Sequence, residues 1–269
     1  MSWSSLKVKL RDEKGRFTNG HVSLFKGRHH TIESKARISV MQTRKISLEP
    51  TEDLGYLCGL IIGDGWLIHN EKTHVYGVNL ETPDEQLVEQ FVHTTKSVFP
   101  NLNVLIYERT RLRKFKDYEW NSSTKIVIVQ SKMLYEVLKP YKQKDFHWTI
   151  PEFLTTTESI IGFLQGIYDA EGYVARRNRK TVSSIALSSK HQSNLLQIRT
   201  ILLQFGIAST LYQCSNHKTW ELRISSKRNM EKFKSVLGFR LKRKANLLEN
   251  MPHLSYERDN ERKKVKVCI

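Results

Sequence analysis

The chain has 269 residues, 39% of them hydrophobic and 26% charged, so it can bury one large core or two small ones. Its 44 lysine and arginine residues against 27 acidic residues give a net charge of +17, which favours a polyanionic partner, either nucleic acid or an anionic membrane surface. No apolar run approaches the roughly 20 residues of a membrane span, which argues against an integral membrane protein.

The cysteines and the N-terminal sequence bear on location. The three cysteines, Cys58, Cys214 and Cys268, are far apart and form neither a zinc-type pair nor a disulfide framework. The first residues lack the apolar core of a secretory signal. We therefore expect a reducing, intracellular setting, with cytoplasm and organelle not distinguished.

Residues 1–49 form a basic N-terminal extension. Residues 1–48 carry 11 lysines and arginines against 3 acids, a local charge of +8. The stretch from Thr31 to Lys45 predicts a short basic helix with Thr31 as its N-cap. Two interpretations stay open here, an accessory arm that contacts DNA and a disordered tail.

The first folded half, residues 50–150, alternates helical and strand patterns. The predicted elements in chain order are a helix at Leu54–Gly63, strands at Trp66–His69 and Val75–Leu80, a helix at Asp84–Val98, strands at Leu102–Tyr107 and Thr124–Val129, and a helix at Ser131–Leu138.

The second half, residues 151–269, follows the same plan. Its predicted elements are a helix at Ser159–Asp169, strands at Gly172–Arg176 and Ser183–Leu187, a helix at Gln192–Phe205, strands at Ala208–Tyr212 and Trp220–Ile224, and a helix at Lys227–Leu237. The fold class is therefore predicted as α+β, two αββαββα pseudo-repeats with antiparallel sheets.

One short apolar segment occurs in both halves. The copies, residues 55–66 and 162–173, align at a constant offset of 107, and each ends in an acid followed by glycine, at Asp64 and Glu171. Small residues four apart line one face of each predicted helix: Gly55, Gly59 and Gly63, then Gly162, Gly166 and Ala170. Because glycine costs a helix interior about 1 kcal/mol relative to alanine, the stripes predict two helices packed closely against each other.

This packing would place Asp64 and Glu171 side by side at the negative ends of the two helices. Two carboxylates there repel each other, so we expect a divalent cation to bind them together with substrate phosphates, Mg²⁺ or another such as Mn²⁺. The structural alternative is that each acid merely precedes a glycine that ends its helix.

The two motifs, Leu57–Gly65 and Leu164–Gly172, resemble those of a single-chain LAGLIDADG homing endonuclease, and the likeness covers about residues 50–250. The resemblance implies a saddle of two sheets, with Asp64 and Glu171 as metal-binding catalytic acids, joined by backbone at Gly63 and Ala170. Basic residues near the site are implied as well, and Lys142 and Lys242 occupy those places.

The resemblance also implies that the strands read DNA in the major groove. The expected side chains are Lys72, His74, Tyr76, Asn79, Arg109, Arg111, Arg113, Lys116 and Lys125 in the first half, and Arg176, Arg177, Arg179, Lys180, Gln213, Lys218 and Arg223 in the second.

The implied function is that of a monomeric, Mg²⁺-dependent endonuclease, encoded by an intron or intein. Such an enzyme cuts both strands of a long, imperfectly palindromic DNA site and leaves 3′ overhangs. Two alternatives use the same basic surface, an RNA-splicing maturase that binds intron RNA and a non-catalytic DNA-binding regulator. The presence of both acids favours the endonuclease.

Overall fold

The computed structural model describes residues 31–33, 48–177, 181–214 and 218–250. The chain divides into two compact units, residues 1–47 and residues 48–269, and both repeat halves lie in the second. The predicted helix from Thr31 to Lys45 lies outside the described residues except for its first three.

In the first half, each helix begins at a side chain that caps it. Thr51, Asp84 and Ser131 accept hydrogen bonds from backbone N–H groups of the turn that follows. The helices are α1 (Glu52–Gly63), α2 (Glu85–Val98) and α3 (Lys132–Leu138), and the strands are β1 (Gly65–Asn70), β2 (Val75–Thr82), β3 (Val104–Phe115) and β4 (Tyr118–Gln130).

The second half repeats this order and adds one helix. Its first helix has a capping box between Thr156 and Ser159. The helices are α4 (Thr157–Ala170), α5 (Gln192–Gln204), α6 (Lys227–Val236) and the additional α7 (Lys242–Asn250), and the strands are β5 (Gly172–Arg177), β6 (Thr181–Ser189), β7 (Thr210–Cys214) and β8 (Thr219–Ile224).

Each half contains one four-stranded sheet. The strand orders are β1-β2-β4-β3 and β5-β6-β8-β7, and all neighbouring strands are antiparallel. Alternate residues face the helices: Val78, Leu80, Val127 and Val129 are all 0% exposed. The predicted α+β fold of two αββαββα repeats is confirmed.

The small-residue stripes let α1 and α4 approach until their backbones touch. A Cβ added at Gly55 would overlap the carbonyl oxygen of Ser159, and one added at Gly162 would overlap the carbonyl oxygen of Glu52. At the far end, a Cβ at Gly63 would lie 2.7 Å from the Cβ of Ala170. The close helix pairing predicted from the sequence is confirmed.

The two halves differ most in the length of one hairpin. Strands β3 and β4 have 12 and 13 residues, whereas β7 and β8 have 5 and 6. Nearly all of β3 is exposed, so the β3–β4 arm (residues 107–126) extends beyond the core. No described helix is both long and apolar enough to cross a membrane.

Candidate active site

Asp64 and Glu171 occupy matching places at the ends of the paired helices. Each is the C-cap residue, and its N–H closes the last helical turn, on Leu60 for Asp64 and on Ile167 for Glu171. A Cβ on the neighbouring Gly63 would lie 3.4 Å from Cγ of Glu171. The close packing of the two helices thus brings the acids to one place.

The surroundings disfavour charge on both acids. Asp64 is half-buried and Glu171 is exposed, yet neighbouring protein desolvates both carboxyls and raises their pKa values. The charge of Asp64 raises the pKa of Glu171 further, while Lys142 and Lys244 oppose the shift at both acids. A bound cation would relieve this penalty.

Lys142 lies against the end of α1. Its Nζ donates to the carbonyl oxygens of Ile62 at 2.6 Å and Gly63 at 3.3 Å. Burial lowers the pKa of Lys142 to about 8, against the opposing charges of Glu171 and Asp64. The structure therefore places this predicted lysine beside both acids.

In the second half the matching position is occupied by Lys244, and the prediction of Lys242 is corrected. Lys242 is exposed at the start of α7, whereas Lys244 is 4% exposed. The reason is helical phase, because Leu241, Lys244 and Leu248 form the inward face of this segment.

Lys244 is bound to the end of α4 as Lys142 is to the end of α1. Its Nζ donates to the carbonyl oxygens of Tyr168 at 2.9 Å, Asp169 at 2.7 Å and Gly172 at 2.6 Å. Burial lowers its pKa to about 8, with the charge of Asp169 acting in the opposite direction. Each acid thus has one buried lysine behind it.

Asp169, the extra acid of the second motif, turns into the protein. It is 1% exposed, and its Oδ2 accepts hydrogen bonds from the Tyr56 hydroxyl at 2.8 Å and from the N–H groups of Arg240 at 3.0 Å and Leu241 at 3.2 Å. Burial raises its pKa to about 6. These contacts give Asp169 a structural place between the halves.

Two carboxylates and adjacent backbone suit a hard divalent cation. Among the described residues no group of three or more His, Cys, Asp or Glu side chains could hold a metal. Mg²⁺, however, commonly uses one or two carboxylates and completes its shell with substrate phosphates and water. Asp64 and Glu171 fit that requirement. The Gly63 carbonyl, a predicted ligand, already accepts a long bond from Lys142, and Ala170 is half-buried at the end of α4.

A cavity of about 280 Å³ lies beside Glu171. Its walls include Lys142, Glu171 and Lys190, over a floor that contains Ile167 and Leu187. The two lysines offset the charge of the acid, so the cavity can admit an anionic group such as a phosphate.

Three predicted DNA-contacting arginines line one face of β3. Arg109, Arg111 and Arg113 are two residues apart, so they project from the face opposite the helices. Asn79 lies on the same face of β2 but is only 5% exposed. Lys116 is in the turn between β3 and β4.

Tyr76 and Lys125 lie on the other face, which corrects their prediction as DNA contacts. The Tyr76 ring is edge-on to Tyr135 of α3 at a centroid distance of 5.4 Å. The Nζ of Lys125 donates to Glu85 at 2.5 Å, next to α2. Strand alternation turns both side chains toward the helices.

The remaining predicted contacts lie at turns and strand ends. Exposed positions are Lys72 and His74 in the β1–β2 turn, Arg176 near the end of β5 and Lys218 before β8. Gln213 is also exposed, but it is in phase with Leu211, which pairs with the buried Leu222, so it lies on the helix-facing side of β7; this corrects its prediction as a DNA contact. Arg223 is on β8, with its side chain 41% exposed. Arg179, Lys180 and the side chain of Arg177 lie outside the described residues.

Sequence reasoning missed three residues near the site. Lys244 could be found only once the start and phase of α7 were known. Glu81 and Glu221 lie on strands of a basic face, where an acid is unexpected; they accept hydrogen bonds from arginines. No sequence signal marks Glu81, since β2 contains no lysine or arginine, and the signal for Glu221 is limited to Arg223 two residues later on the same strand.

Comparison with known proteins identifies the class. Residues 158–238 match the family model described as a LAGLIDADG-like domain. The homing endonuclease I-WcaI bound to its DNA recognition sequence superposes with a TM-score of 0.55 at 15% identity, covering 74% of this chain and 86% of the other. I-DmoI in complex with DNA and Mn gives a TM-score of 0.50 at 21% identity, over 70% and 97%.

Residues 158–238 thus match a LAGLIDADG-like domain, and the part of the chain that superposes has the fold of the homing endonucleases I-WcaI and I-DmoI. The predicted resemblance is confirmed.

Several curated relatives match this chain over only a small part of their own length. One is a glutamine–fructose-6-phosphate aminotransferase from Methanocaldococcus jannaschii, 27% identical over 76% of this chain and 18% of that protein. Another is a probable translation initiation factor IF-2 from Thermococcus kodakarensis, 29% identical over 76% of this chain and 16% of that protein. The chain therefore spans less than a fifth of these first relatives.

Proposed function

We propose that this chain is a site-specific, divalent-metal-dependent endonuclease that cuts both strands of DNA. The observation that carries the proposal is the meeting of Asp64 and Glu171 at matched helix ends, each backed by a buried lysine. The LAGLIDADG-like domain and the fold shared with DNA-bound homing endonucleases support a DNA endonuclease. The choice of Mg²⁺, monomeric action and the 3′ overhangs are part of the proposal.

The acids of the site would bind the metal, and the lysines would stabilise phosphate charge and, at Lys142, exchange protons. A bound divalent cation supplies activation of water and stabilisation of the leaving oxygen. Asp64 and Glu171 would hold that cation. Lys142 and Lys244, with pKa values lowered to about 8, are mostly protonated at neutral pH, so their Nζ atoms stabilise phosphate charge. Lys142 is half-buried and bonds only two carbonyls, so its pKa lies near enough to neutrality for its Nζ to exchange a proton with a neighbouring water. Lys244 has all three N–H groups bonded to carbonyls and acts through its charge alone.

The basic faces of the two sheets bind the DNA on either side of the acids. Arginines on β3 and Arg223 on β8 present guanidinium groups that suit phosphate and guanine edges. Because the β3–β4 arm is longer than its counterpart, we expect the first half to contact a longer half-site than the second. An asymmetric target follows from this difference.

The relatives support an origin in a mobile element. An aminotransferase and an initiation factor have unrelated activities, yet each shares with this chain a segment that covers 76% of it. A segment common to unrelated hosts is typical of an insertion. We therefore propose that this chain is encoded by an intron or intein and not that it shares the activities of those hosts.

Cleavage of DNA that spans the insertion site tests the proposal. Wild type should cut both strands in Mg²⁺ and neither in EDTA. Asp64→Asn and Glu171→Gln should each lower the cleavage rate by about 10³-fold or more, while DNA affinity changes less than about threefold. Asp169→Asn is the matched control, because Asn retains an oxygen that accepts the same hydrogen bonds.

The alternatives predict other outcomes. Binding without cleavage of this DNA, together with faster splicing of the intron RNA, would identify a maturase and overturn the proposal. Binding with no effect on either nucleic acid would identify a non-catalytic regulator. Salt dependence does not separate these readings, because all of them predict it.

A further inference from the structure

Each sheet carries one glutamate in the middle of its arginine-bearing face, and both glutamates occupy the same row. In the first sheet, Glu81 of β2 is paired with Ile126 of β4. In the second, Ser188 of β6 is paired with Glu221 of β8. Leu80 pairs with Gly65, and Leu187 pairs with Gly172. Glu81 and Ser188 are the next residues on their strands, so this row of the sheet is level with Asp64 and Glu171, the residues that precede the two glycines. The repeat has kept an acid in this row while moving it to the neighbouring strand.

Glu81 is held by three donors, two arginines that reach it from β3 across β4 and one threonine of β4 itself. Arg109 Nη1 and Arg111 Nη2 donate to Oε2 at 3.4 and 3.2 Å, and the Thr124 hydroxyl donates to Oε1 at 2.7 Å. The Glu81 side chain is 17% exposed, while those of Arg109 and Arg111 are 46% and 44% exposed. We call these four residues the Glu81 cluster.

Glu221 is held more tightly still. Its Oε1 accepts from Arg223 Nε and from the Tyr212 hydroxyl at 2.6 Å, and its Oε2 lies 3.8 Å from the Cys214 sulfur. Tyr173 also makes a side-chain hydrogen bond with it. The Arg223 guanidinium lies over the Tyr212 ring at 4.8 Å. We call these five residues the Glu221 cluster.

The burial of a glutamate determines whether it can contact a DNA base itself. A glutamate can read cytosine directly by accepting from its N4 amine. The Glu221 side chain is only 7% exposed and both of its oxygens already have donors, so it does not reach a base edge. The Arg223 side chain, by contrast, remains 41% exposed. The exposed arginine is the part that meets DNA, and the acid fixes its orientation.

We propose that Glu81 and Glu221 are positioning residues that fix Arg109, Arg111 and Arg223 for base recognition, and that they set sequence discrimination rather than affinity. Arg109 and Arg111 are two residues apart on a strand, about 7 Å, which matches two base-pair steps. An arginine held in one orientation can meet guanine through two hydrogen bonds. A released arginine contacts any nearby phosphate, which carries no sequence information. The inference rests on the proposed function, since it names the specificity device of the same DNA-binding surface.

Binding to a library of randomised duplexes in EDTA tests this inference without requiring cleavage. Wild type should select a sequence and bind single-base variants of it about tenfold more weakly or worse at arginine-contacted positions. Glu81→Gln should reduce that discrimination about tenfold in the first half-site only, while binding to random DNA stays equal or tightens. Glu221→Gln should do the same in the second half-site.

Matched controls separate orientation from charge. Glu85→Gln and Glu231→Gln remove the same charge from acids that pair with lysines, Lys125 and Lys227, and should leave the selected sequence unchanged. Thermal melting reports whether each variant folds. If Glu221→Gln unfolds, Arg223→Lys replaces it, because lysine keeps the charge but not the planar fork.

The results separate the two proposals. Unchanged discrimination in Glu81→Gln, or an equal loss in Glu85→Gln, overturns the inference while leaving the endonuclease intact. A selected sequence that Mg²⁺ does not cause to be cut overturns the endonuclease, and the variant profiles still test the role of the glutamates. A wild type that selects no sequence overturns the inference.

Discussion

The two halves of this protein have nearly the same core but different exposed surfaces. Both have the same order of helices and strands, the same sheet topology and an acid, Asp64 or Glu171, at the end of a helix lined by small residues. Outside the core, the first half extends a long exposed arm, whereas the second has a short hairpin and a buried glutamate cluster. Packing against a shared helix pair therefore preserves the repeat, and the DNA-facing side is free to diverge.

The lysines behind the acids show the same division. Lys142 comes from the segment after α3 and is half-buried, and Lys244 comes from α7 and is almost fully buried. Different elements thus supply an ammonium group at the end of each motif helix, buried to different degrees. The four predictions below test how far the halves are equivalent, from the largest expected effect to the smallest.

Lys142 and Lys244 should contribute equally to the cleavage rate but unequally to the stability of the fold. Lys142→Met and Lys244→Met should each slow cleavage by about 10²-fold or more, because each removes a cation from the developing phosphate charge. Only Lys244→Met should also destabilise the fold, by about 2 kcal/mol, since it leaves buried carbonyls without a donor. Single-turnover cleavage and chemical denaturation measure the two effects. Lys242→Met is the control and should match wild type in both.

The helix pair should be symmetric in stability. Gly55→Ala and Gly162→Ala should each lower the free energy of unfolding by about 3 kcal/mol, because the new methyl group meets backbone of the other helix. Gly63→Ala should cost less, since it meets only the side chains of Ala170 and Glu171 and the tip of Ile167. Urea denaturation checks the order, and a harmless Gly162→Ala would contradict the symmetric packing.

The β3–β4 arm should act on one half-site alone. Replacing residues 111–122 by an Asn-Gly turn keeps the Thr110–Ser123 pair and removes only exposed or half-buried positions. The DNA footprint should shorten by about five base pairs on the first side. Affinity should fall about tenfold or more as phosphate contacts are lost. Hydroxyl-radical footprinting measures both sides at once, and shortening on the second side would refute this assignment.

Arg240, which belongs to the second half, binds two acidic residues of the first half. Its guanidinium donates to Asp53 at 2.7 Å and Glu52 at 2.6 Å and lies over the Tyr56 ring at 4.3 Å. Arg240→Met should therefore cost about 2 kcal/mol. Arg243→Met, whose partner Asp84 lies at the start of α2, should cost less because Arg243 is more exposed.

The Arg240 contact also has a pH signature. Burial alone would raise the pKa of Asp53, but the hydrogen bonds from Arg240 and Ser97 outweigh it and lower the pKa below 3.8. Stability from this acid is therefore present above pH 3.8 and lost as the pH falls through the lower folded value. Melting curves below pH 4 should show a smaller loss in Arg240→Met than in wild type. Equal losses would show that Arg240 does not set the pKa of Asp53.

Much of this organisation could be predicted from the sequence because repeats and glycine spacing are local signals. The repeat at an offset of 107 residues, together with the glycine stripes, was enough to predict that Asp64 and Glu171 lie side by side. The full length of β3 was not predicted, since Arg109 to Phe115 are almost all exposed and lack the apolar alternation that marks a half-buried strand. The sequence analysis assigned Lys242 to the site instead of Lys244. The segment Leu241–Asn250 contains too few apolar residues to show from sequence alone which of its lysines lies on the buried face of the helix.

Binding of Mn²⁺ to the protein–DNA complex tests the central claim, that acids from both halves converge on one metal site. Titration followed by electron paramagnetic resonance should show tight binding in wild type and in Asp169→Asn, whose acid faces Tyr56 and Arg240. Asp64→Asn and Glu171→Gln should each weaken it about tenfold or more. Wild-type affinity in either of those two variants would contradict a site shared by both halves.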